Sequence, residues 1–253
     1  MQMVFPPLYA IIDAGLLKTS ELRFAQTLAE SGVELLQYRR KHATSRELFD
    51  VSRALALRLS QLGKSSRRAV RFIVNDRPDI ALLVNAGGVH VGQTDLSVAD
   101  ARAILQLGGL PTDGTLLDRT LERGCWVGVS THTLAQLEDA DRTSADYIAF
   151  GPIFPTVTKE QPDPVVGLAL LAEARTRTEK PLVAIGGITL ERAAEVYRAG
   201  ADSVAVASDL IVAPDPAARA RAFLAVAATA ATPGRLQKPG STGQQGLSRT
   251  ESS

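Results

Sequence analysis

Short apolar runs alternate with helical patterns along the chain, and this alternation limits the possible folds more than any other feature. Eight runs occur: LYAIID (8–13), ELLQYR (34–39), RFIVND (71–76), GGVHVG (87–92), WVGVS (126–130), YIAFG (147–151), LVAIGG (182–187) and SVAVAS (203–208). Near-continuous apolar strands separated by helices indicate a parallel sheet that is buried on both faces. Eight strand–helix units in about 230 residues predict a single (β/α)8 TIM barrel of α/β class, for which about 250 residues is typical. A doubly wound open sheet is the alternative.

Helical spacing is visible between several of these runs. Five segments show it: 21–32, 45–63, 77–87, 190–200 and 216–230. Gly32 and Gly63 end the first two segments as natural C-terminal stops, and Pro78 lies in the first turn of the third. These segments therefore predict the helices that surround the barrel.

Two stretches fall outside the alternation and set the predicted domain limits. Residues 108–124 form a longer connection before the fifth strand, which predicts an insertion on the bottom face, away from the side where barrel enzymes act. Residues 232–253 are rich in Gly, Ser, Thr and Gln, which is typical of a disordered tail. We therefore expect one barrel domain over residues 1–231, followed by this tail.

Charge and cysteine content argue against several classes of protein. The chain has 28 basic and 27 acidic residues, so nothing in the balance favours nucleic acid or an anionic membrane as a partner. A single cysteine, Cys125, rules out a disulfide within the chain. The first residues do not resemble a signal peptide, and no 18 consecutive residues are apolar. These features predict a soluble cytoplasmic protein and leave its oligomeric state open.

Polar residues at the C-terminal ends of the strands of such a barrel meet at one mouth. This rule selects candidate site residues before any family is considered. Following the strands from the second to the eighth, they are Gln37, Arg39, Lys41, Asn75, Asp76, Gln93, Asp95, Ser130, Thr131, His132, Thr156, Thr158, Lys159, Gly186, Gly187, Ala207 and Ser208.

Two acidic residues in this set suggest a metal site. Asp76 and Asp95 follow neighbouring strands, which lie about 4.8 Å apart. Taken singly, either aspartate is typical of a helix N-cap or a turn. As a pair facing basic residues, they favour Mg²⁺, which commonly takes one or two carboxylates together with water and phosphate oxygens.

The remaining candidates suggest two anion sites. Gln37, Arg39 and Lys41 alternate along an extended segment and can all face the mouth, where they suit a polyphosphate; a solvated basic rim is the other interpretation. The turns AIGGI (184–188) and VAVAS (204–208) occupy the usual phosphate position of barrel enzymes, although a Gly-Gly turn alone is ordinary turn chemistry. Such a mouth is suited to holding two phosphorylated substrates together while pyrophosphate leaves.

Seven motifs in this order resemble the thiamine-phosphate synthase (thiamine-phosphate pyrophosphorylase) family over roughly positions 8–212. They are QYRRK (37–41), VNDRPDIAL (74–82), GVHVGQTD (88–95), VGVSTHT (127–133), DYIAFGPIFPTVTK (146–159), AIGGI (184–188) and AGADSVAVAS (199–208). The resemblance implies a transferase of thiamine biosynthesis that joins 4-amino-2-methyl-5-hydroxymethylpyrimidine diphosphate to a thiazole phosphate, carboxylated or not. It releases thiamine phosphate and diphosphate.

The resemblance also implies a role for each matched residue. The residues implied for the pyrimidine diphosphate are Gln37, Arg39, Lys41, Asn75, Ser130 and Lys159, of which Arg39, Lys41 and Lys159 stabilise the leaving group as catalytic residues. Those implied for the thiazole phosphate are Thr156, Thr158, Gly187, Ala207 and Ser208. Asp76 and Asp95 are implied as ligands of the cofactor Mg²⁺.

Two other functions on the same barrel stay open at this point. A TenI-like thiazole tautomerase needs the monophosphate site and a proton-transfer residue such as His132, without a complete diphosphate and metal site. A non-catalytic ligand-binding regulator needs no leaving-group chemistry. His132 itself is expected to be a partly exposed surface residue, because one histidine without a visible partner is weak evidence for acid–base catalysis.

Overall fold

The computed structural model describes residues 5–66, 69–107, 124–156 and 163–230. Its centre is a closed barrel of parallel strands in sequence order, in which the first strand also pairs with the last. This closure confirms the predicted TIM barrel and rules out the open doubly wound sheet. The predicted tail and nearly all of the 108–124 insertion lie outside the described residues.

The eight strands match the eight apolar runs. They are β1 (Leu8–Asp13), β2 (Leu35–Arg39), β3 (Arg71–Asn75), β4 (Gly88–Val91), β5 (Trp126–Thr131), β6 (Tyr147–Phe150), β7 (Leu182–Ile185) and β8 (Ser203–Val206). The register places Asp13 beside Arg39 and Asn75 beside His90 at the carboxyl ends of the strands. Polar residues that follow the strands are therefore gathered at one end of the barrel.

Helices surround the barrel. In the described residues they are α1 (Glu21–Glu30), α2 (Ser45–Ser66), α3 (Pro78–Leu83), α4 (Val98–Gln106), α5 (Leu134–Asp141), α6 (Gly167–Arg177), α7 (Leu190–Arg198), α8 (Ser208–Ile211) and α9 (Pro216–Ala230). The five segments with helical spacing all form helices, while α4, α5, α6 and the short α8 were not predicted. Within the described ranges, no helix is long and apolar enough to cross a membrane.

Two of the missed helices, α5 and α6, have narrow apolar faces. Helix α5 buries only Leu137 and Ala140, so its sequence shows little periodicity. Its N-terminal signal was nevertheless present, because the Thr133 hydroxyl accepts a hydrogen bond from the Gln136 amide at the N-cap. Ser97 caps α4 in the same way. Capping residues would therefore have located two helices that periodicity did not.

Aromatic side chains fill the lower part of the barrel. Tyr9, Trp126 and Tyr147 are buried in an interior cluster that is separate from the layer between sheet and helices. Phe5 stacks on Trp126 with ring centroids 5.1 Å apart, and the Arg71 guanidinium lies 3.9 Å from the Trp126 ring. These large rings close the bottom, so the open space of the barrel lies at the carboxyl end of the strands.

We expect Gly128→Ala to destabilise the fold by about 3 kcal/mol, because it overpacks the barrel interior. A Cβ atom at Gly128 would lie 2.0 Å from Cζ of Tyr147, whose ring is completely buried. Thermal or denaturant unfolding measures the loss. Leucine at position 147 lacks the clashing ring atoms, so adding Tyr147→Leu to Gly128→Ala should cost less than the sum of the single changes. If the double variant lost as much stability as the two single variants together, the Tyr147 ring would not be what excludes a larger residue at position 128.

Candidate active site

A cavity of about 830 Å³ opens at the carboxyl ends of the strands. It is lined by loops that follow strands from all around the barrel. All the described residues to which the family resemblance assigns a role line it: Gln37, Arg39, Lys41, Asn75, Asp76, Asp95, Ser130, Thr156, Gly187, Ala207 and Ser208. Of the other strand-end candidates, Thr131 does not line it, because its side chain is fully buried and its hydroxyl donates to the Ala149 carbonyl. Thr158 and Lys159 lie outside the described residues, so their predicted roles depend on the sequence alone.

Two carboxylates meet on one side of the cavity. Asp76 directly follows β3 and has a positive φ of 61°, a conformation that side chains rarely adopt outside special sites. Its amide donates to the His90 carbonyl at 2.8 Å, which ties it to the neighbouring strand. Burial raises the pKa of Asp76 to about 7, and the adjacent Asp95 carboxylate adds to this increase. The fold therefore holds two acidic groups close together in a poorly solvated place.

Basic side chains face these carboxylates. Arg39 and Lys41 both act to lower the pKa of Asp76, so their charges lie near it. Arg39 also forms an ion pair with Asp13, in which the two side chains are 16% and 9% exposed. Asp13 is oriented by a hydrogen bond that it accepts from the Gly15 amide at 2.9 Å. A fixed cation therefore stands at the edge of the acidic pair.

Asp76 and Asp95 are the donors that a metal ion would use in this cavity. Among the residues described, no group of three or more His, Cys, Asp or Glu side chains could hold a metal. Two close carboxylates do fit Mg²⁺, which keeps several waters and binds through one or two carboxylates plus substrate phosphates. Asp95 is oriented for such a role, because its Oδ2 accepts from the Gly92 amide at 2.7 Å.

The opposite side of the cavity is made of backbone. Gly187 has a φ of 62°, and a Cβ atom there would lie 2.4 Å from the Pro155 carbonyl oxygen. Only glycine lets the β7–α7 turn lie directly against the β6–α6 loop. Arg192 strengthens this contact, since it donates to the Gly187 carbonyl at 3.0 Å and stacks over the Phe154 ring at 4.6 Å. The turn and the first part of the loop thus form one wall.

His132 lines this cavity, where the strand-end rule placed it, but its ring is turned inward and is not the surface residue that was expected. Its Nδ1–H donates to the Gly151 carbonyl at 2.6 Å, and its Nε2 lies 3.5 Å from the Asp163 carboxylate. These contacts turn the ring inward, so that the side chain is only 15% exposed. Its partners, Gly151 and Asp163, belong to the connection between β6 and α6. A sequence-based interpretation that takes each strand end separately could not place this connection next to His132.

Comparison with known proteins agrees with this geometry. The family model described as thiamine monophosphate synthase matches residues 8–110 and 107–210. The chain belongs to this family. The match spans all eight strands, including the strand ends that line the cavity, and it confirms the family resemblance predicted from the motifs.

Individual relatives can be aligned with most of the length of this thiamine monophosphate synthase family member. A thiamine-phosphate synthase of Koribacter versatilis is 43% identical over 226 residues, covering 87% of this chain and 95% of the relative. That of Chloroflexus aurantiacus is 40% identical over 220 residues, covering 87% and 91%. A solved thiamine phosphate pyrophosphorylase from Pyrococcus furiosus superimposes with a TM-score of 0.72 at 28% identity, covering 88% and 96%. The tautomerase and regulator alternatives are not favoured.

Several cavity residues of this thiamine monophosphate synthase family member were missed by the sequence-based selection. Asp13 ends β1 and would have been found had the strand-end rule been applied to that strand as well. His90 lies inside β4, where it is a polar residue in an apolar run. Tyr9 and Tyr147 look like ordinary core residues in sequence. They do not line the cavity themselves, but their hydroxyl groups contact each other in the buried layer beneath it, and that of Tyr147 also contacts His90.

Proposed function

We propose that this chain condenses 4-amino-2-methyl-5-hydroxymethylpyrimidine diphosphate with a thiazole phosphate to give thiamine phosphate and diphosphate. The observation that carries the proposal is a single cavity with a carboxylate pair and cations on one side and a glycine turn on the other. The names of the 43% and 40% identical relatives support the same reaction.

The acidic and basic side of the cavity would bind the diphosphate. Arg39 and Lys41 supply the positive charge, and Arg39 is already aligned by Asp13. The Asn75 amide at the end of β3 and the Ser130 hydroxyl near the end of β5, one on each side of β4, add hydrogen bonds, while Gln37 reaches the pyrimidine from the floor. The sequence resemblance adds Lys159 to this set. Fixed donors of this kind stabilise the charge that develops on a departing diphosphate.

Asp76 and Asp95 would hold Mg²⁺ between the protein and the diphosphate. When bound, the ion supplies a positive charge that polarises phosphoryl oxygens and neutralises the leaving group. The protein residues hold the two carboxylates close together, and the left-handed backbone at Asp76 directs that side chain toward Asp95.

The glycine side of the cavity would bind the thiazole phosphate. Gly187, Ala207, Ser208 and Thr156 line this side of the cavity. The β7–α7 and β8–α8 turns are the usual phosphate position of TIM barrels. Thr158 is assigned to the same phosphate by the sequence resemblance. Two anchored phosphates would place the two heterocycles next to each other, which removes much of the entropic cost of their reaction.

Bond formation then needs no nucleophile from the protein. As the C–O bond to the diphosphate breaks, the aminopyrimidine ring stabilises positive charge on its methylene carbon. The ring nitrogen of the thiazole supplies the electron pair for the new C–N bond. If the thiazole is carboxylated, CO₂ is lost in addition. The protein positions both rings, neutralises the leaving group and excludes water from the cation.

A growth experiment tests this function in cells. A bacterial strain that lacks thiamine-phosphate synthase requires thiamine, and expression of this chain should restore growth on medium without it. Restored growth must depend on both the pyrimidine and the thiazole precursors, because both are substrates. Soluble expression without any growth, in a strain that a known synthase rescues, would contradict the proposal.

Substitution of Gly187 separates the two substrate sites. We expect Gly187→Ala to raise KM for the thiazole phosphate about tenfold, because the new methyl group would push the turn away from Pro155. KM for the pyrimidine diphosphate should stay unchanged. Gly167→Ala is the matched control, since Gly167 also has a positive φ of 73° but no atom within 4 Å of the added Cβ. Equal effects of the two substitutions would show that backbone strain alone explains the result.

A further inference from the structure

Five side chains form a continuous hydrogen-bonded network beneath the cavity, here called the floor network. The Gln37 amide Nε2 donates to the Tyr9 hydroxyl at 2.6 Å, and the Tyr9 and Tyr147 hydroxyls lie 2.8 Å apart. The Tyr147 hydroxyl lies 3.1 Å from Nδ1 of His90, and His90 Nε2 lies 2.8 Å from the Ser130 hydroxyl. The network thus links two cavity residues, Gln37 and Ser130, through three strands of the barrel floor.

The two tyrosines at the centre each have one proton to donate. Tyr9 and Tyr147 are 1% and 0% exposed. Burial raises the pKa of both hydroxyl groups well above the usual value for tyrosine, so both phenols stay neutral. A neutral phenol donates a single hydrogen bond and accepts others. The direction of the network can therefore be followed by counting protons.

Gln37 sets the direction of the network at one end. Because Tyr9 accepts from the Gln37 amide, its own proton goes to Tyr147. Tyr147 then accepts from Tyr9 and donates to Nδ1 of His90. An Nδ1 that accepts carries no proton, so neutral His90 is protonated at Nε2 and donates to Ser130. Ser130 accepts this bond and keeps its own proton for a partner in the cavity.

We propose that the floor network has this single direction, with Tyr9 and Tyr147 as positioning residues that fix Gln37 as an acceptor and Ser130 as a donor toward the substrate. The proposal deepens the proposed function and rests on it. An aminopyrimidine suits such a pair, because its exocyclic amine donates and its ring nitrogens accept. A ring with the opposite pattern would leave both ends unpaired, which costs more than a hydrogen bond gains.

The tautomer of His90 tests the direction without reference to activity. In protein labelled with ¹⁵N-histidine, we expect the Nδ1 resonance of His90 in the unprotonated range and Nε2 in the protonated range. The three histidines of the chain are assigned with His42→Gln and His132→Gln variants. The Nδ1-protonated tautomer, or a doubly protonated ring at neutral pH, would reverse or break the direction and overturn the proposal.

Removal of one hydroxyl tests the positioning role. Tyr147→Phe should mix the two His90 tautomers and raise KM for the pyrimidine diphosphate about tenfold, with KM for the thiazole phosphate unchanged. Tyr197→Phe is the matched control, because Tyr197 is also buried and donates to the Pro7 carbonyl at 2.9 Å, away from the cavity. An unchanged tautomer and KM in Tyr147→Phe, or the same shifts in Tyr197→Phe, would overturn the role. An inactive wild type would instead contradict the proposed function, while the tautomer would still test the network.

Discussion

Replacing Asp76 with asparagine is expected to lower kcat about 100- to 1000-fold, the range found when a group that stabilises transition-state charge is removed. The substitution keeps the shape of the side chain and removes its charge. Asp76 is half-buried beside Asp95 and is opposed by Arg39 and Lys41, so the lost charge leaves one carboxylate to hold the metal. Higher Mg²⁺ should recover part of the activity, because the weakened step is metal binding.

Asp79→Asn provides the control for this substitution. Asp79 lies three residues further along the chain, where it pairs with Arg77 outside the cavity with a side chain that is 48% exposed. The Asp79→Asn substitution should leave kcat and the Mg²⁺ dependence of the rate unchanged. Steady-state rates over a range of Mg²⁺ concentrations measure both variants. If Asp76→Asn reached the wild-type rate at saturating Mg²⁺ and also bound Mg²⁺ with the wild-type affinity, Asp76 would not be part of the proposed metal site.

Replacing Arg39 with glutamine should affect both the fold and the reaction. Asp13 would lose the cation with which it forms a largely buried ion pair, which is expected to lower the free energy of unfolding by about 3 kcal/mol. The diphosphate would lose a fixed cationic donor, and kcat/KM is expected to fall about 100-fold. Denaturant unfolding and steady-state kinetics measure the two effects separately.

A double variant distinguishes the two effects of Arg39. Arg39→Gln combined with Asp13→Asn replaces the ion pair with two neutral amides, so most of the lost stability should return. Activity should stay low, because no guanidinium then faces the diphosphate. Recovery of both stability and activity in the double variant would mean that Arg39 acts only by holding the fold. In that case the proposed contact with the diphosphate would be wrong.

The barrel and most of its mouth could be predicted because local patterns determine them. Apolar strands alternating with helices allow few architectures, and the ends of parallel strands must lie together. Asp76 and Asp95 could be paired from sequence for this reason. The same rule applied to β1 would have added Asp13, which the structure places against Arg39.

The floor of the cavity could not be predicted in the same way. Tyr9 and Tyr147 are 138 residues apart, and the contact of their hydroxyl groups depends on where the closed barrel directs each ring. Gly128 makes room for the Tyr147 ring, which is a packing relation that no local pattern contains. The inward orientation of His132 was not predicted for a similar reason, since its partners Gly151 and Asp163 come from a different loop.

The reaction itself is tested most directly by incubating the purified chain with both substrates and Mg²⁺. Thiamine phosphate and diphosphate should appear in equal amounts, and omission of either heterocycle or chelation of the metal should stop their formation. A change in the thiazole phosphate alone, without the pyrimidine, would indicate a tautomerase instead. Absence of thiamine phosphate, with a known synthase active under the same conditions, would contradict the proposed function.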